Sequence, residues 1–148
     1  MRLIKTILLM AIFLLSACQT KEKTMVCKMG DIDNETAYSL NAFVAKGDDI
    51  IKINYHAITD YDYYNIDYQD IKNACDLLKE KYNAHEGIAY SYSLDQEKGF
   101  VIEDTIIDIT KASYESLYEV GIINDTSASA ISLKKTINHL KEAGFSCN

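Results

Sequence analysis

The residues most able to do chemistry in this chain are crowded into "DYDYYNIDYQD", Asp60–Asp70, with four Asp and four Tyr in eleven positions. Asp60-Tyr61-Asp62 opens like the D-x-D of a calcium loop. Such a loop needs Gly at its sixth position and a bidentate Glu at its twelfth. Those positions hold Asn65 and Ile71, so the pattern fails. A looser oxygen site built from Asp60, Asp62 and Asp67 is the rival of a plainer reading. In the plainer one the loop is solvated and Asp67 caps the following helix, its carboxylate accepting from unpaired first-turn amides. The segment has a second use. Tyrosine rings are amphipathic and suit contact surfaces, so Asp60, Tyr61, Asp62, Tyr63 and Tyr64 form a candidate binding loop, with Tyr61, Tyr63 and Tyr64 as its exposed rings. Tyr38, Tyr55, Tyr90 and Tyr92 fall on strands rich in Ile and Leu and are expected in the core.

The histidines are His56, His85 and His139. None stands in an H-x3-H or H-E-x-x-H spacing, and no Cys-x-x-Cys occurs, so the zinc signatures are missing. No G-x-S-x-G elbow marks a hydrolase nucleophile. The expectation is therefore no metal, no cofactor and no catalytic residue. His56 is placed on a polar strand face, His85 in a loop and His139 on a helix.

Cys18 is different. Arg2 and Lys5 precede an unbroken apolar run from Ile7 to Leu15. Nine helical residues rise ~14 Å, half of a ~30 Å hydrocarbon core. A positive start, a short apolar stretch and then small residues is the layout of a secretory signal. Leu15-Ser16-Ala17-Cys18 resembles the lipobox of bacterial lipoproteins. That resemblance implies that residues 1–17 are removed as a signal peptide and that Cys18 carries a diacylglyceryl thioether and an acylated amino terminus. Two or more acyl chains anchor stably where one binds only marginally. Residues 18–24 then read as the lipidated cysteine and a short polar tether, and 25–148 as one domain.

Loss of Arg2 and Lys5 with the signal takes the net charge from −7 to about −9. An acidic domain is repelled by anionic headgroups, so the anchor must hold it at the membrane. The same charge excludes nucleic-acid binding, which wants a basic face. Three cysteines remain, in a compartment that permits disulfides. Cys27–Cys147 is the expected pair and Cys27–Cys75 its rival, with three free thiols as the third outcome. Cys75 sits on the apolar side of a helix, where a free thiol behaves as a small hydrophobe.

The elements that position these groups follow from periodicity. Strands are expected at Met25–Gly30 and Thr36–Lys46, the latter alternating Tyr38, Leu40, Ala42 and Val44 against Ser39 and Asn41. After the turn Lys46-Gly47-Asp48-Asp49, a strand alternates Ile51, Ile53, Tyr55 and Ala57 against Lys52, Asn54 and His56. Ile71, Ala74, Cys75, Leu78 and Tyr82 recur at helical spacing behind Asp67. Strands follow at Ile88–Leu94 and Phe100–Ile109; both faces of the second are mixed, so a bulge is expected near Glu103 or Asp104. Two short helices, around Leu117 and around Ile137, are closed by Gly121 and Gly144. The fold class is α+β: an antiparallel sheet with helices packed on one face.

Across residues 36–145 the phrases "KGDDIIKI", "LKEKYNAHEGIAYSYS", "VIEDTIIDITKA" and "ISLKKTINHLKEAGF" resemble the YehR-like family of small uncharacterised bacterial lipoproteins. The resemblance implies an α+β fold with an antiparallel sheet and assigns no catalytic or binding residue. Many members are cysteine-poor, and this chain departs from them. The combined expectation is a monomeric, lipid-anchored protein on the extracytoplasmic face of the cell membrane. It would be non-enzymatic and act as a binding or interaction module with an envelope protein partner. The alternatives are a structural or accessory lipoprotein working through protein contacts, and an envelope enzyme with a scattered site.

Overall fold

The computed structural model describes residues 21–30, 36–127 and 129–148. The signal segment and Cys18 lie outside the described residues. No helix among the described residues is long and apolar enough to cross a membrane.

Six strands form one antiparallel sheet: β1 (Glu22–Met29), β2 (Ala37–Lys46), β3 (Asp49–Asp60), β4 (Ile88–Asp95), β5 (Phe100–Asp108) and β6 (Ser146–Cys147). Their order across the sheet is β4-β5-β3-β2-β1-β6. Three helices, α1 (Tyr68–Asn83), α2 (Tyr114–Glu119) and α3 (Leu133–Glu142), pack against it. The α+β class is as expected, with helices on the face that presents Phe43, Ile53 and Ile107. β2 has the expected period of two, and the helices cover its Asn41, Phe43 and Ala45 side. Tyr38 points the other way, half-exposed and edge-on to His56 across the sheet, so it is not a core residue. Tyr90 is buried and Tyr55 packs against the main core; Tyr92 borders a second cluster.

Gly47 and Asp48 make the two-residue β2–β3 turn, with Lys46 opposite Asp49. Gly47 has φ 64°, the positive first central dihedral that keeps the hairpin's natural twist. The bulge lies here and not in β5. Val44 faces Lys52 while Ala45 faces Ile50, which leaves Ile51 as the extra residue. That one-residue insertion puts Ile50 and Ile53, three apart, into the same core. β5 runs in unbroken register with both neighbours. Its polar residues look irregular in sequence because each has a specific partner: Asp104 Oδ1 lies 2.8 Å from His56 Nδ1, and Glu103 accepts from Tyr90.

β1 also starts earlier than alternation predicts. Glu22, Lys23 and Thr24, read as tether, pair with Lys46, Ala45 and Val44. Backbone pairing with an available neighbour outweighs an unpatterned side-chain string. Asp67 caps α1 as expected, its Oδ1 accepting from Gln69 N at 2.7 Å. Gly121 and Gly144 close α2 and α3 with positive φ.

β6 escapes sequence reading because two residues carry no period. It places Cys147 directly opposite Cys27, and the two are joined in a disulfide spanning 120 residues. Cys75 is a buried free thiol. A loop of that size contributes about 4–5 kcal/mol in the loop-entropy model. Cys147→Ser, or reduction, should therefore lower urea-measured stability by about 3–5 kcal/mol, whereas Cys75→Ala, which breaks no crosslink, should cost markedly less. Equal losses would show that the bond constrains little.

Candidate functional site

Two places compete for the role of a site. The first is the aspartate–tyrosine loop between β3 and α1. Tyr61, expected to be exposed, is only 2% accessible and sits with Cys75 and Val101 in the second core cluster. Its ring is the first aromatic after β3 and inserts beneath α1, where burial and then Asp62 raise its hydroxyl pKa. Tyr63 and Tyr64 are the exposed rings, 64% and 49% accessible, stacked edge-on at 5.2 Å. The carboxylates are occupied locally. Asp60 Oδ1 accepts from Tyr63 N at 2.8 Å, and Asp67 caps α1. Asp62 packs over Gly99 so closely that a side chain there would collide with its carboxylate. Tyr61 N donates to Gly99 O at 2.8 Å, fixing the loop on the β4–β5 turn. Among the described residues no group of three or more His, Cys, Asp or Glu converges in a way that could hold a metal ion. The five residues of the candidate loop thus divide into one core anchor, two turn carboxylates and two free rings.

The second place was not legible in sequence. Between α1 and α3 the helix-covered face of the sheet is left open, and a groove runs across it in two lobes of about 380 and 260 Å³. Tyr55 and Ile122 belong to both lobes. The larger lobe has Asn41 and Phe43 on its floor and Lys135, His139 and Leu140 of α3 as its wall. The smaller has Tyr90, Glu103 and Thr105 on its floor and Leu78 and Tyr82 of α1 as its wall.

The α1 wall is braced by two hydrogen-bonded chains. Lys72 Nζ donates to Asp76 Oδ2 at 2.6 Å and Tyr92 Oη donates to Asp76 Oδ1 at 2.5 Å. These bonds hold the Asp76 carboxyl below the usual range, Lys72 first and Tyr92 second. Two residues back along β4, Tyr90 Oη donates to Glu103 Oε1 at 2.5 Å and borders the Cys75 thiol. Burial raises both pKa values, so the thiol stays protonated and is a poor nucleophile. Its neighbour is a tyrosine hydroxyl and not a histidine. His56 pairs with Asp104 and His85 with Glu119, on separate elements.

The α3 wall is held by the hairpin turn. Ser132 Oγ donates to Asp48 Oδ2 at 2.5 Å, Lys134 N to Asp48 Oδ1 at 2.8 Å and Leu133 N to Asp48 O at 2.7 Å. One carboxylate therefore caps a helix 84 residues away, and those bonds lower its pKa, Ser132 first. The far end of α3 runs into β6 and the disulfide.

Tyr55 is pushed up to about 12 by burial, with Tyr82 adding to it. Tyr82, which donates to Val120 O at 3.1 Å, is raised for the same reason. The groove therefore keeps neutral hydroxyl donors throughout the physiological range.

A family model described as "Protein of unknown function (DUF1307)" matches residues 28–146. No curated protein matches the chain. Among solved structures the fold is similar to the NMR structure of the E. coli YehR protein, with a TM-score of 0.66 at 19% identity, covering 86% of this chain and 91% of that one. It is also similar to the NMR structure of a protein from Streptococcus pneumoniae TIGR4, with a TM-score of 0.55 at 11% identity, covering 89% and 88%. At such identities the likeness establishes the fold alone.

The raised tyrosines have a consequence at alkaline pH. An acid that ionises less readily when folded leaves the unfolded state with fewer protons, so stability falls as pH rises above ~10. Phenolate absorbance should show Tyr55, Tyr82 and Tyr90 ionising late, and urea-measured stability should drop between about pH 10 and 12. Tyr55→Phe should shrink that drop. An unchanged slope in the variant would mean that its ring is not shielded in the groove.

Proposed function

The chain belongs to the DUF1307 family of proteins of unknown function, and on that premise we propose that it is a lipid-anchored binding module of the cell envelope, without covalent chemistry of its own. The observation that carries the reading is the groove between α1 and α3: a concave, largely preformed site with an aromatic floor and a few polar groups, in the size range of small-molecule pockets. Nucleophilic catalysis needs a nucleophile, a base in reach and an orienting group. The groove's ionisable groups are tyrosines held neutral, a carboxylate already accepting from Tyr90, and Lys135 and His139 on the α3 wall. That set supports binding better than bond breaking.

The anchor reading sets an orientation. From Cys18 to Glu22 is four residues, at most ~14 Å of extended chain. Glu22 pairs with Lys46, so the β2–β3 turn and the start of α3 lie at the membrane end. β3 then runs twelve residues from Asp49 to Asp60, ~35–40 Å of strand. Tyr63 and Tyr64 stand at its far end, facing away from the bilayer. The exposed stacked pair favours a second role for that tip, contact with an envelope protein, in which rigid aromatic rings are effective anchors.

The anchor is tested by intact mass and membrane partition. The mature protein should start at Cys18 with a diacylglyceryl and acyl mass, and Cys18→Ser should abolish that mass and release the domain from membranes. An unmodified Cys18 in exported protein would sink the envelope reading. For the tip, a photo-crosslinking residue at position 64 should capture a partner in the protein's own cells. The same residue at Leu77, exposed on α1, should capture none.

A further inference from the structure

The groove is chemically lopsided. In the larger lobe Asn41 is only 6% accessible, yet its amide nitrogen donates to no described residue; its oxygen receives one long contact, 3.5 Å from Ser39 Oγ. The Tyr55 hydroxyl likewise has no described partner; its ring packs edge-on to Phe43 at 6.4 Å. Asn41 and Tyr55 are opposite each other across β2 and β3 and both line the cavity, so two neighbouring donors are free to bond a molecule in it. Above them, Lys135 and His139 stand four apart on α3 and line the same lobe. One helical turn puts them on one face. Of the thirteen described lysines, Lys46, Lys72, Lys98 and Lys111 sit beside carboxylates. Lys135 is among the nine without an ion pair to a described residue, and it lines a cavity.

The smaller lobe differs. Its one carboxylate, Glu103, already accepts from Tyr90 at 2.5 Å. The rest of its lining is mostly Leu78, Ile122, Ala57 and tyrosine rings. Donors and positive charge therefore gather at the α3 end, and apolar surface continues past Tyr55 and Ile122 to the α1 end.

We infer that the groove takes a small amphipathic monocarboxylate, its carboxylate held by Asn41, Tyr55 and Lys135 and its apolar body laid over Ile122 toward α1. The inference rests on the groove being a binding site, and it names the ligand class. Charge-assisted hydrogen bonds from an ammonium and neutral donors are the strong kind for a carboxylate. The protein's overall negative charge opposes anions, but at physiological salt that repulsion is screened beyond ~8 Å. Contacts inside the groove then decide. Glu103 at the opposite end sets the direction, since a carboxylate laid the other way would meet its charge. A ligand that is all charge would leave the aromatic floor uncovered, and one with no charge would leave the donors unpaired.

The test uses the mature lipidated protein in phosphatidylcholine nanodiscs, with isoleucine methyl resonances as reporters. Ile122 lies in the groove, Ile66 in the distal loop and Ile106 on the opposite sheet face. The probes are 3-phenylpropionate, the neutral 3-phenylpropanol and acetate. Phenylpropionate should shift Ile122 saturably with a Kd below ~1 mM, leaving Ile66 and Ile106 in place. The alcohol and acetate should each bind at least ~10-fold more weakly. Lys135→Gln and Tyr55→Phe, both of which keep side-chain bulk, should each weaken phenylpropionate roughly 3–10-fold and leave the alcohol unchanged. Equal binding of acid and alcohol at Ile122 would overturn the carboxylate assignment while the groove remained a binding site. No shift at Ile122 with any probe up to ~10 mM, in protein with unaltered thermal stability, would overturn both. A shift at Ile106 instead would place binding on the uncovered sheet face and reject the groove.

Discussion

The structure depends on a mismatch of widths. Six strands spaced about 4.8 Å apart make a sheet roughly 24 Å across, and the helices that must cover one face of it have 16, 6 and 10 residues. A helix with its side chains is about 10 Å wide. Two helices side by side close such a sheet only when packed against each other without a gap, and α2, with six residues, is too short to fill one. α1 settles over β4, and α3 runs from the β2–β3 turn to β6, so the uncovered strip falls on the central strand. Tyr55 lies there. The groove is thus the expected remainder of packing two helices on a sheet this wide, and its floor takes its character from the residues the remainder exposes. Several of these are tyrosines, whose rings keep the floor apolar while their hydroxyls tolerate water.

Keeping that gap open requires walls that do not drift together. α1 is pinned to β4 by the Lys72–Asp76–Tyr92 chain and by Tyr90 under Cys75. α3 is pinned at both ends, by the Asp48 carboxylate at its start and by β6 with its disulfide beyond its end. A ten-residue helix is marginal alone, so these attachments and the burial of Leu133 and Ile137 give it a fixed place. Fixed walls also keep the groove's donors in position, and donors positioned in advance lose little freedom to any molecule that meets them.

Periodicity and punctuation made much of this architecture legible. Alternation found five of the six strands, Gly47 marked the hairpin, and Asp67, Gly121 and Gly144 marked helix ends. Failures occurred where a residue's fate depends on a distant partner. Glu103 and Asp104 suggested a bulge because Tyr90 and His56, which satisfy them, are remote in sequence. Tyr61 counted as exposed because its neighbours in the chain are acidic, while its neighbours in space are Cys75 and Val101. The groove was hidden for the same reason, since its lining comes from four strands and two helices plus Ile122. The pairing of Cys27 with Cys147 was only one of several sequence alternatives, because spacing carries no connectivity.

The side-chain amide of Asn83 carries a last consequence. Its Oδ1 accepts from Tyr90 N at 2.7 Å and its Nδ2 donates to Tyr90 O at 3.1 Å. β4 is an outer strand of the sheet, and at Tyr90 the asparagine imitates the peptide group of a seventh strand. A bare strand edge templates the addition of another chain. For molecules confined to a surface, where neighbours collide far more often than in bulk, such an edge would invite fibre-like growth in the plane. Asn83 occupies a pairing position at the third of that edge's eight residues, so an added chain cannot pair along the whole edge without displacing the amide.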